Sequence, residues 1–298
     1  MQQVTGQLDR QKYLGGSDIA AILGISPWRT PLDVYLDKVE GKQPEDPSKA
    51  QIFRRGTRME PYILDLLTEE HGIQIVQRGN RYRDQQHEFI AAEIDAEAAT
   101  GENIEVKSAN QFAAKNWGEQ FTDEIPVYYT AQAMHGMMVH EAPATIFPVL
   151  IGSDDFRVYR VYRDDETIAA IRAKEVEFWE RIQRRDPPPA TAVSDIERLF
   201  ARDHGSMTEA STELAQVVGT LKRLKKELKM LESEADDAAT QVKLFMAEHA
   251  TLTFGGQTLC TWKSQNANRF DIEAFRTKHP AIAEKLTKTS TSRVLRIK

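Results

Sequence analysis

The chain has 298 residues, of which 28% are charged and 41% hydrophobic, and its formal net charge is −6 at pH 7. No apolar run approaches the roughly 20 residues that a membrane helix requires, and the one cysteine, Cys260, excludes an internal disulfide and a four-cysteine metal site. The negative charge argues against a protein that coats nucleic acid non-specifically, but it is compatible with an enzyme that has a local basic groove. Because the start of the chain shows no signal sequence and cysteine is scarce, a cytoplasmic location is expected.

A short amphipathic helix is predicted near the start of the chain. Ser17 is a typical N-cap residue and Gly24 a typical stop. Gly15 and Gly16 in front of the cap allow an anion to approach the free amides of the helix start, and Arg10 is near in sequence. The stretch therefore predicts either a phosphate site or an ordinary capped helix.

Two more helices follow, over about residues 31–41 and from residue 53 to Gly72. In the turn before the first, Trp28 beside Arg29 predicts either a side chain that stacks on a base or one that packs in the core. The longer helix carries Glu60 in its first turns. This acid can reach across to a sheet and complete a metal site, or it can be an ordinary acid near a helix start.

Two short apolar-alternating strands come next, joined by a turn at Gly101. Asp95 closes the first strand. Glu105 and Lys107 are two apart on the second, so their side chains share a face and Val106 points the other way. Carboxylates that converge in this way can hold a divalent cation, and the ammonium can neutralise phosphate charge or help to deprotonate a water. The alternative is the solvated face of a surface hairpin.

A further helix begins near Pro126 and carries Gln132. His135 and His140 are five apart, so they do not share a helical face, and both are predicted to be structural. Strands at 144–151 and 157–162 and a helix at 164–185 complete this part of the chain.

Three prolines at 187–189 stop the last of these helices and predict a domain boundary. We therefore expect one domain at 1–186, a proline-rich connecting segment at 187–207, and a C-terminal region at 208–298. That region is predicted to hold a long helix, a small β hairpin around Gly255 and Gly256, and a basic tail.

The long helix has a sustained heptad seam, in which apolar residues alternate spacings of three and four. The seam comprises Leu214, Val217, Leu221, Leu224, Leu228, Leu231, Ala235, Ala238, Val242 and Phe245. So continuous a stripe needs a partner. We expect it to pack within the C-terminal region and between subunits, with the basic face from Lys222 to Lys229 left free for DNA or an acidic partner.

Several motifs together resemble one known family. They are LGGSDIAAILGISPWRTPL at 14–32, RGTRMEP at 55–61, Ile94-Asp95, IEVK at 104–107, and Tyr128 four residues before Gln132. In this order they resemble the YqaJ-type viral recombinases, which are phage and prophage alkaline exonucleases related to lambda exonuclease, within the PD-(D/E)XK nuclease superfamily. The resemblance covers about residues 10–185.

The resemblance implies an α/β fold with a restriction-endonuclease-like core, in which helices flank a mixed central sheet in the order α-β-β-β-α-β. It also implies a site for two Mg²⁺ ions, for which Mn²⁺ would substitute. Asp95 and Glu105, with the carbonyl of Val106, match the ligands of the main ion, and Glu60 matches the helix acid that supports the second. Lys107 matches the residue that positions and activates the attacking water.

Further residues match family positions that contact substrate. Gln132 matches a glutamine that contacts the catalytic lysine or the scissile phosphate. Arg10 and Ser17 match a pair that holds the 5′-phosphate end. The expected contacts to DNA are Arg10, Ser17, Trp28, Arg29, Arg54 and Arg55.

The function implied is Mg²⁺-dependent hydrolysis of linear double-stranded DNA from 5′ ends, which leaves 3′ single strands for an annealing protein. The implied setting is a phage or prophage protein in the cytoplasm of a bacterial host, and the implied assembly is a ring of three subunits. Two alternatives stay open: an endonuclease on the same fold, and a DNA-end-binding recombination scaffold with a vestigial site. The intact set of Glu60, Asp95, Glu105 and Lys107 argues against the scaffold.

Overall fold

The computed structural model of the chain describes residues 2–4, 8–41, 47–287, 289 and 292–297. They divide into two compact units, Met1–Arg198 and Leu199–Lys298. The first unit extends beyond residue 186, where the prolines predict the domain boundary. Thr30 Oγ1 donates a hydrogen bond of 2.8 Å to Asp195, which lies in the segment predicted to be a linker. The side chain of Asp195 thereby ties this segment back to the first unit.

One mixed sheet organises the first unit. Its described strands are β1 (Gln2–Gln3), β2 (Ile75–Arg83), β3 (Ala91–Ala98), β4 (Asn103–Ile104), β5 (Lys107–Ala109), β6 (Ala144–Ile151) and β7 (Asp155–Tyr162). Strands β1 to β4 pair antiparallel in chain order. Strands β4 and β5 both pair parallel to β6, and β7 pairs antiparallel to β6. The centre of the sheet is therefore parallel and its edges are antiparallel.

Helices cover both faces of this sheet. The described helices of the first unit are α1 (Gly16–Ile22), α2 (Pro31–Val39), α3 (Pro47–His71), α4 (Val127–His140), α5 (Asp165–Arg184) and α6 (Val193–Leu199), the last of which runs one residue into the second unit. Apolar residues of α1, α4 and α5 form one core with the sheet, and those of α3 form a second core with it. Strand β6 is buried along its whole length because it is central and covered on both sides. The predicted fold class, a mixed sheet flanked by helices, is confirmed.

Three local predictions need correction. Ser17 lies inside α1 and the N-cap is Gly15, whose amide donates a hydrogen bond to the Asp18 carboxylate. The strand that carries Asp95 continues to Ala98. The strand predicted to carry both Glu105 and Lys107 is broken, since β4 ends at Ile104 and β5 begins at Lys107.

The second unit contains the predicted long helix and hairpin. Its elements among the described residues are α7 (Thr212–Met246), β8 (Thr251–Phe254), β9 (Gln257–Thr261), α8 (Ile272–Lys278) and α9 (Pro280–Leu286). The basic tail has no regular structure at 292–297, and Lys298 lies outside the described residues. Across the described part of the chain, no helix is long and apolar enough to span a membrane.

The seam of α7 does not pack on the rest of the C-terminal region. Leu228 is 55% exposed, Leu231 61% and Phe245 77%, and among the described residues of the seam only Leu221 is half-buried and not exposed. The expectation that this stripe is buried within its own C-terminal region is therefore wrong. The heptad pattern indicates that the stripe has a partner outside this region.

Candidate active site

A break in one strand builds the centre of the site. Glu105 and Val106 separate β4 from β5, and the amide of Val106 donates a hydrogen bond of 2.9 Å to Asp95 Oδ2 on the neighbouring strand. The amide of Glu105 still donates to the carbonyl of Ile146 at 2.9 Å. The Val106 amide thus donates to a side-chain carboxylate in place of a backbone carbonyl, and the backbone pairing of the strand is interrupted there. The same hydrogen bond fixes Asp95 beside Glu105.

Glu105, Lys107 and Gln132 form a closed triangle of hydrogen bonds. Lys107 Nζ donates to Glu105 Oε1 at 2.7 Å and to Gln132 Oε1 at 3.2 Å. Gln132 Nε2 donates to the same Glu105 oxygen at 2.5 Å. Helix α4 therefore holds Gln132 against the sheet, and each of the three side chains orients the other two. These residues are brought together as the sequence predicts.

The charges in this centre are unbalanced. Burial alone would lower the pKa of Lys107, but Glu105 and Asp95 outweigh it and raise the pKa, so the amine carries its charge at neutral pH. Burial raises the pKa of Asp95 well above its ordinary value, and the negative charge of Glu105 raises it further. Two carboxylates share a single ammonium here, so an additional cation would stabilise their charged forms.

Glu60 lies on α3 at the margin of this group. Burial raises the pKa of Glu60, and the charge of Glu105 adds to the effect, so the two carboxylates interact. Among the described residues, however, no three His, Cys, Asp or Glu side chains converge into a set that could hold a metal ion. Glu60 is therefore near Asp95 and Glu105 but is not assembled with them into a three-ligand site.

Two carboxylates fit Mg²⁺ better than they fit most other metals. Mg²⁺ is commonly held by one or two carboxylates, with waters and substrate phosphate completing its coordination. Asp95 and Glu105 supply those hard oxygen ligands. Burial and then the charge of Glu105 raise the pKa of Asp95, and a bound cation would favour its charged form. The donor set thus agrees with the metal that the sequence predicts.

Arg10 and Ser17 also come together. Arg10 Nη2 donates to Ser17 Oγ at 2.6 Å, and Arg10 Nη1 donates to the hydroxyl of Tyr13 at 3.1 Å. Tyr13 in turn donates to Glu93 at 3.1 Å. Because Ser17 lies in the first turn of α1, the guanidinium stands at a helix start, where backbone amides favour anions.

A buried carboxylate, Asp18, anchors this corner. Lys38 Nζ donates to Asp18 at 2.9 Å and to the carbonyl of Arg10 at 2.7 Å, and Arg29 pairs with Asp18 at 3.1 Å. Burial alone would raise the pKa of Asp18, but Lys38, Arg10 and Arg29 hold it below the ordinary value. The sequence did not indicate Asp18 or Lys38, because the carboxylate and the ammonium lie on different helices and meet only in the fold.

Arg29 is less available for DNA than the sequence suggests. Its second guanidinium nitrogen pairs with Asp37 at 2.6 Å, so two carboxylates occupy it. Arg54 and Arg55 lie on α3 and are exposed. The next residue, Gly56, faces the Ser108 hydroxyl, which follows Lys107 on β5. This contact places α3 against β5 on the face opposite to the Lys107 side chain, because successive side chains of a strand point to opposite faces.

Gly16 connects the helix start to the triangle of Glu105, Lys107 and Gln132. A Cβ atom on Gly16 would lie 3.1 Å from Cγ of Gln132 and 3.5 Å from Cδ2 of His135. The glycine therefore allows α1 to lie directly on α4. Since Ser17 is the next residue, the Arg10 and Ser17 pair stands beside the triangle that contains Lys107.

Aromatic rings line the same region. Trp28 is 64% exposed and packs edge-on against Tyr128, with centroids 4.8 Å apart. Tyr129 lies next to both rings, and Lys107 Nζ stands 4.7 Å from its centroid. Tyr129 is three residues before Gln132, a spacing that puts both on one helical face and could have revealed it. Trp28 thus belongs to an exposed cluster and not to the core.

His135 is buried one turn beyond Gln132. Its Nδ1 lies 2.6 Å from Glu175 Oε1 on α5, and its Nε2 lies 2.9 Å from the carbonyl of Ala91 on β3. The ring thereby joins α4 to α5 and to the sheet, which is a structural role.

Residues 7–143 match the profile of the YqaJ-like viral recombinase domain. The chain is 28% identical to YqaJ of Bacillus subtilis (strain 168) over 301 residues, which cover 98% of this chain and 92% of YqaJ.

Among solved structures, the fold is similar to that of LHK-Exo, an alkaline exonuclease from Laribacter hongkongensis. The TM-score is 0.49 at 17% identity, with 64% of this chain and 95% of that one covered. A phage-related exonuclease from Haemophilus somnus 129PT gives a TM-score of 0.46 at 14% identity, with 58% and 94% covered. The profile match and the similarity to YqaJ confirm the resemblance found in the motifs: residues 7–143 are similar to the YqaJ-like viral recombinase domain.

Proposed function

We propose that this protein is a Mg²⁺-dependent exonuclease that hydrolyses linear double-stranded DNA from its 5′ ends. One observation carries the proposal: Gly16 packs α1 against Gln132, so the Arg10 and Ser17 pair adjoins the triangle of Glu105, Lys107 and Gln132. A cation that can receive a terminal phosphate thus stands beside a group suited to phosphodiester cleavage. The 3′ single strand left by such digestion would be the substrate of an annealing protein.

Asp95 and Glu105 would hold the main Mg²⁺, with the carbonyl of Val106, and Glu60 would support a second ion. Bound Mg²⁺ would polarise the phosphodiester and make water a better nucleophile. Mn²⁺ is expected to substitute. The carboxylates bring the negative charge that such ions need, and α3 brings Glu60 close enough to interact with Glu105.

Lys107 acts as a charged donor in this proposal. Its raised pKa keeps the amine protonated, so it stabilises negative charge on the phosphate and orients the attacking water, and it does not remove the proton itself. Gln132 accepts from the Lys107 ammonium at 3.2 Å and donates to Glu105 at 2.5 Å. These two hydrogen bonds fix the direction of the Nζ hydrogens. The Tyr129 ring beneath the amine limits its movement.

Arg10 and Ser17 would bind the 5′-phosphate. Released from Ser17, the guanidinium can form charge-assisted hydrogen bonds to phosphate oxygens, and the start of α1 adds backbone amides. Trp28, beside Tyr128, offers an exposed ring on which an unpaired base can stack. Arg54 and Arg55 extend positive charge along α3. Because Arg29 is paired with two carboxylates, its contribution would be to hold Asp18 in place.

The test is Mg²⁺-dependent digestion of three substrates by the full chain: a linear duplex with 5′-phosphate ends, the same duplex with 5′-hydroxyl ends, and a covalently closed circle. The proposal predicts that the phosphorylated duplex is digested fastest, that label at the 5′ end is released first, and that the circle stays intact. Cutting of the circle would instead indicate an endonuclease on this fold. Binding without cleavage of any substrate would indicate an end-binding scaffold.

Two further parts of the proposal concern assembly and setting. The digestion product implies an annealing protein as partner, and the family implies a ring of three subunits in the cytoplasm of a bacterial host.

A further inference from the structure

The seam on α7 is the largest feature that the proposed nuclease does not use. Helix α7 has 35 residues, so it extends about 52 Å. Its seam runs along almost that whole length, and side chains such as Leu214 (53%), Leu224 (48%) and Val242 (39%) are exposed among the described residues. Exposed apolar surface this continuous marks an interaction site.

The geometry of the seam selects the kind of partner. Its residues alternate spacings of three and four from Leu214 to Phe245 with no interruption. This strict period of 3.5 gives a narrow stripe that stays on one side of a supercoiled helix, whereas a helix lying on a globular surface has a wider stripe of period 3.6. The partner of α7 is therefore another helix with a matching heptad pattern.

A second copy of α7, running in the opposite direction, matches this pattern over its whole length. In one antiparallel register every seam residue faces a seam residue of the second copy. The facing pairs are Leu214 with Phe245, Val217 with Val242, Leu221 with Ala238, Leu224 with Ala235, and Leu228 with Leu231. No seam residue is left without a partner at either end.

The sizes of the paired residues also favour this direction. The two alanines each face a leucine, so a small side chain compensates for a large one and the layers have similar volumes. In a parallel pair each residue would face its own copy. Ala235 and Ala238 would then form two small layers beside the larger leucine layers, and the helices could not keep an even spacing.

Charge points to the same arrangement. The first half of α7 carries five exposed cations, Lys222, Arg223, Lys225, Lys226 and Lys229, and the second half carries four exposed acids, Glu232, Glu234, Asp236 and Asp237. The antiparallel register brings the basic half of one copy beside the acidic half of the other, whereas a parallel pair would bring cations beside cations.

The residues that flank the seam show which charges meet in this register. Lys225 and Glu232 of the second copy flank the seam on the same side. Glu227 falls beside acids, but it is already paired with Arg223 of its own helix at 2.7 Å.

We propose that α7 forms an antiparallel two-stranded coiled coil with α7 of a second copy of this chain. Such pairing has two-fold symmetry, so it predicts an even number of subunits. If the nuclease units form rings of three, the coiled coils join two rings. The basic face between Lys222 and Lys229 is then partly neutralised by the second copy and does not serve as a free DNA surface.

The first test is the mass of the full chain by size-exclusion chromatography with light scattering. Leu228→Glu places a charge in the central layers and should halve the mass. Leu244→Glu is the matched control, because Leu244 is 75% exposed but lies off the seam, and it should leave the mass unchanged. A wild-type monomer, or equal behaviour of the two variants, would overturn the proposal.

The second test fixes the direction, in a Cys260→Ser background so that only introduced thiols react. The double variant Val217→Cys/Val242→Cys should form disulfide-linked dimers on mild oxidation. Each single variant should not, since like positions would be about 37 Å apart along the axis. Efficient cross-linking of a single variant would show a parallel pair and overturn the proposal. No cross-linking in any variant would show that the seam does not meet a second copy.

Discussion

The buried pair of His135 and Glu175 gives a prediction whose size follows from the structure. Both side chains are at most 1% exposed, and the two ring nitrogens of His135 each face an acceptor, Glu175 Oε1 at 2.6 Å and the carbonyl of Ala91 at 2.9 Å. Both of these hydrogen bonds are donated by the ring when it is an imidazolium, which is therefore the form that this pair stabilises. Burial alone would lower the pKa of His135, but Glu175 and the bond to Ala91 outweigh it and raise the pKa.

Glu175→Gln keeps the shape of the side chain and removes its charge. Removal of one partner of a buried ion pair costs about 3–5 kcal/mol. Because the amide oxygen can still accept from Nδ1, the lower end, about 3 kcal/mol, is expected near pH 6. The amide nitrogen would occupy the place of Glu175 Oε2, which has no hydrogen-bond partner among the described residues, so the substitution gains no bond there.

The effect should depend on pH in one direction. A raised pKa in the folded state means that the stabilisation is fully present below the unfolded pKa of His, about 6.5. It is lost as the pH rises through the higher folded pKa of His135. For one proton the slope reaches at most about 1.4 kcal/mol per pH unit. The difference in unfolding free energy between the wild type and Glu175→Gln should therefore be largest near pH 6 and shrink towards pH 9.

Urea unfolding followed by tryptophan fluorescence measures this difference, since Trp117 and Trp179 both lie in the first unit. Glu177→Gln is the matched control on the same helix: Glu177 pairs with Lys174 at 2.9 Å but is 52% exposed, so its loss should cost less than about 1 kcal/mol. Equal losses in the two variants, or a gap that widens with pH, would refute the reasoning.

Three further predictions concern the candidate active site. Lys107→Ala and Lys107→Arg should each lower the single-turnover cleavage rate by about 100-fold or more, and near-native cleavage by the arginine variant would reduce Lys107 to a generic positive charge. Arg10→Ala should slow digestion of 5′-phosphorylated ends about tenfold and leave 5′-hydroxyl ends unaffected; equal slowing of both would remove its end-binding role. Gly16→Ala puts a Cβ 3.1 Å from Gln132 Cγ and should lower the cleavage rate, whereas Gly219→Ala, with nothing within 4 Å, should not.

Local pattern was sufficient for much of this fold. The stops at Gly24 and Gly72 are confirmed by positive φ angles of 72° and 66° at these residues, which glycine adopts without strain. The spacing of Glu105 and Lys107 correctly placed their side chains together, because two residues along an extended chain return to the same face.

Features that depend on distant segments could not be predicted in this way. The strand break at Val106 requires the carboxylate of Asp95, which is on the next strand. The preference of hydroxyls for the N-cap predicts Ser17 at that position, but α1 begins at Gly16, whose Cα lies close to Gln132 of the distant helix α4. His135 and Glu175 are 40 residues apart and meet only when α4 packs on α5.

The most direct test of the proposed nuclease compares Asp95→Ala with the wild type in cleavage and in binding of the same 5′-phosphorylated duplex. Asp95 is proposed as a ligand of the main cation, and its carboxylate accepts the hydrogen bond from the Val106 amide at the strand break. The account predicts that the variant loses cleavage in Mg²⁺ but still binds the duplex, and that the wild type in Ca²⁺ likewise binds without cleaving. Near-native cleavage by Asp95→Ala in Mg²⁺ would contradict it.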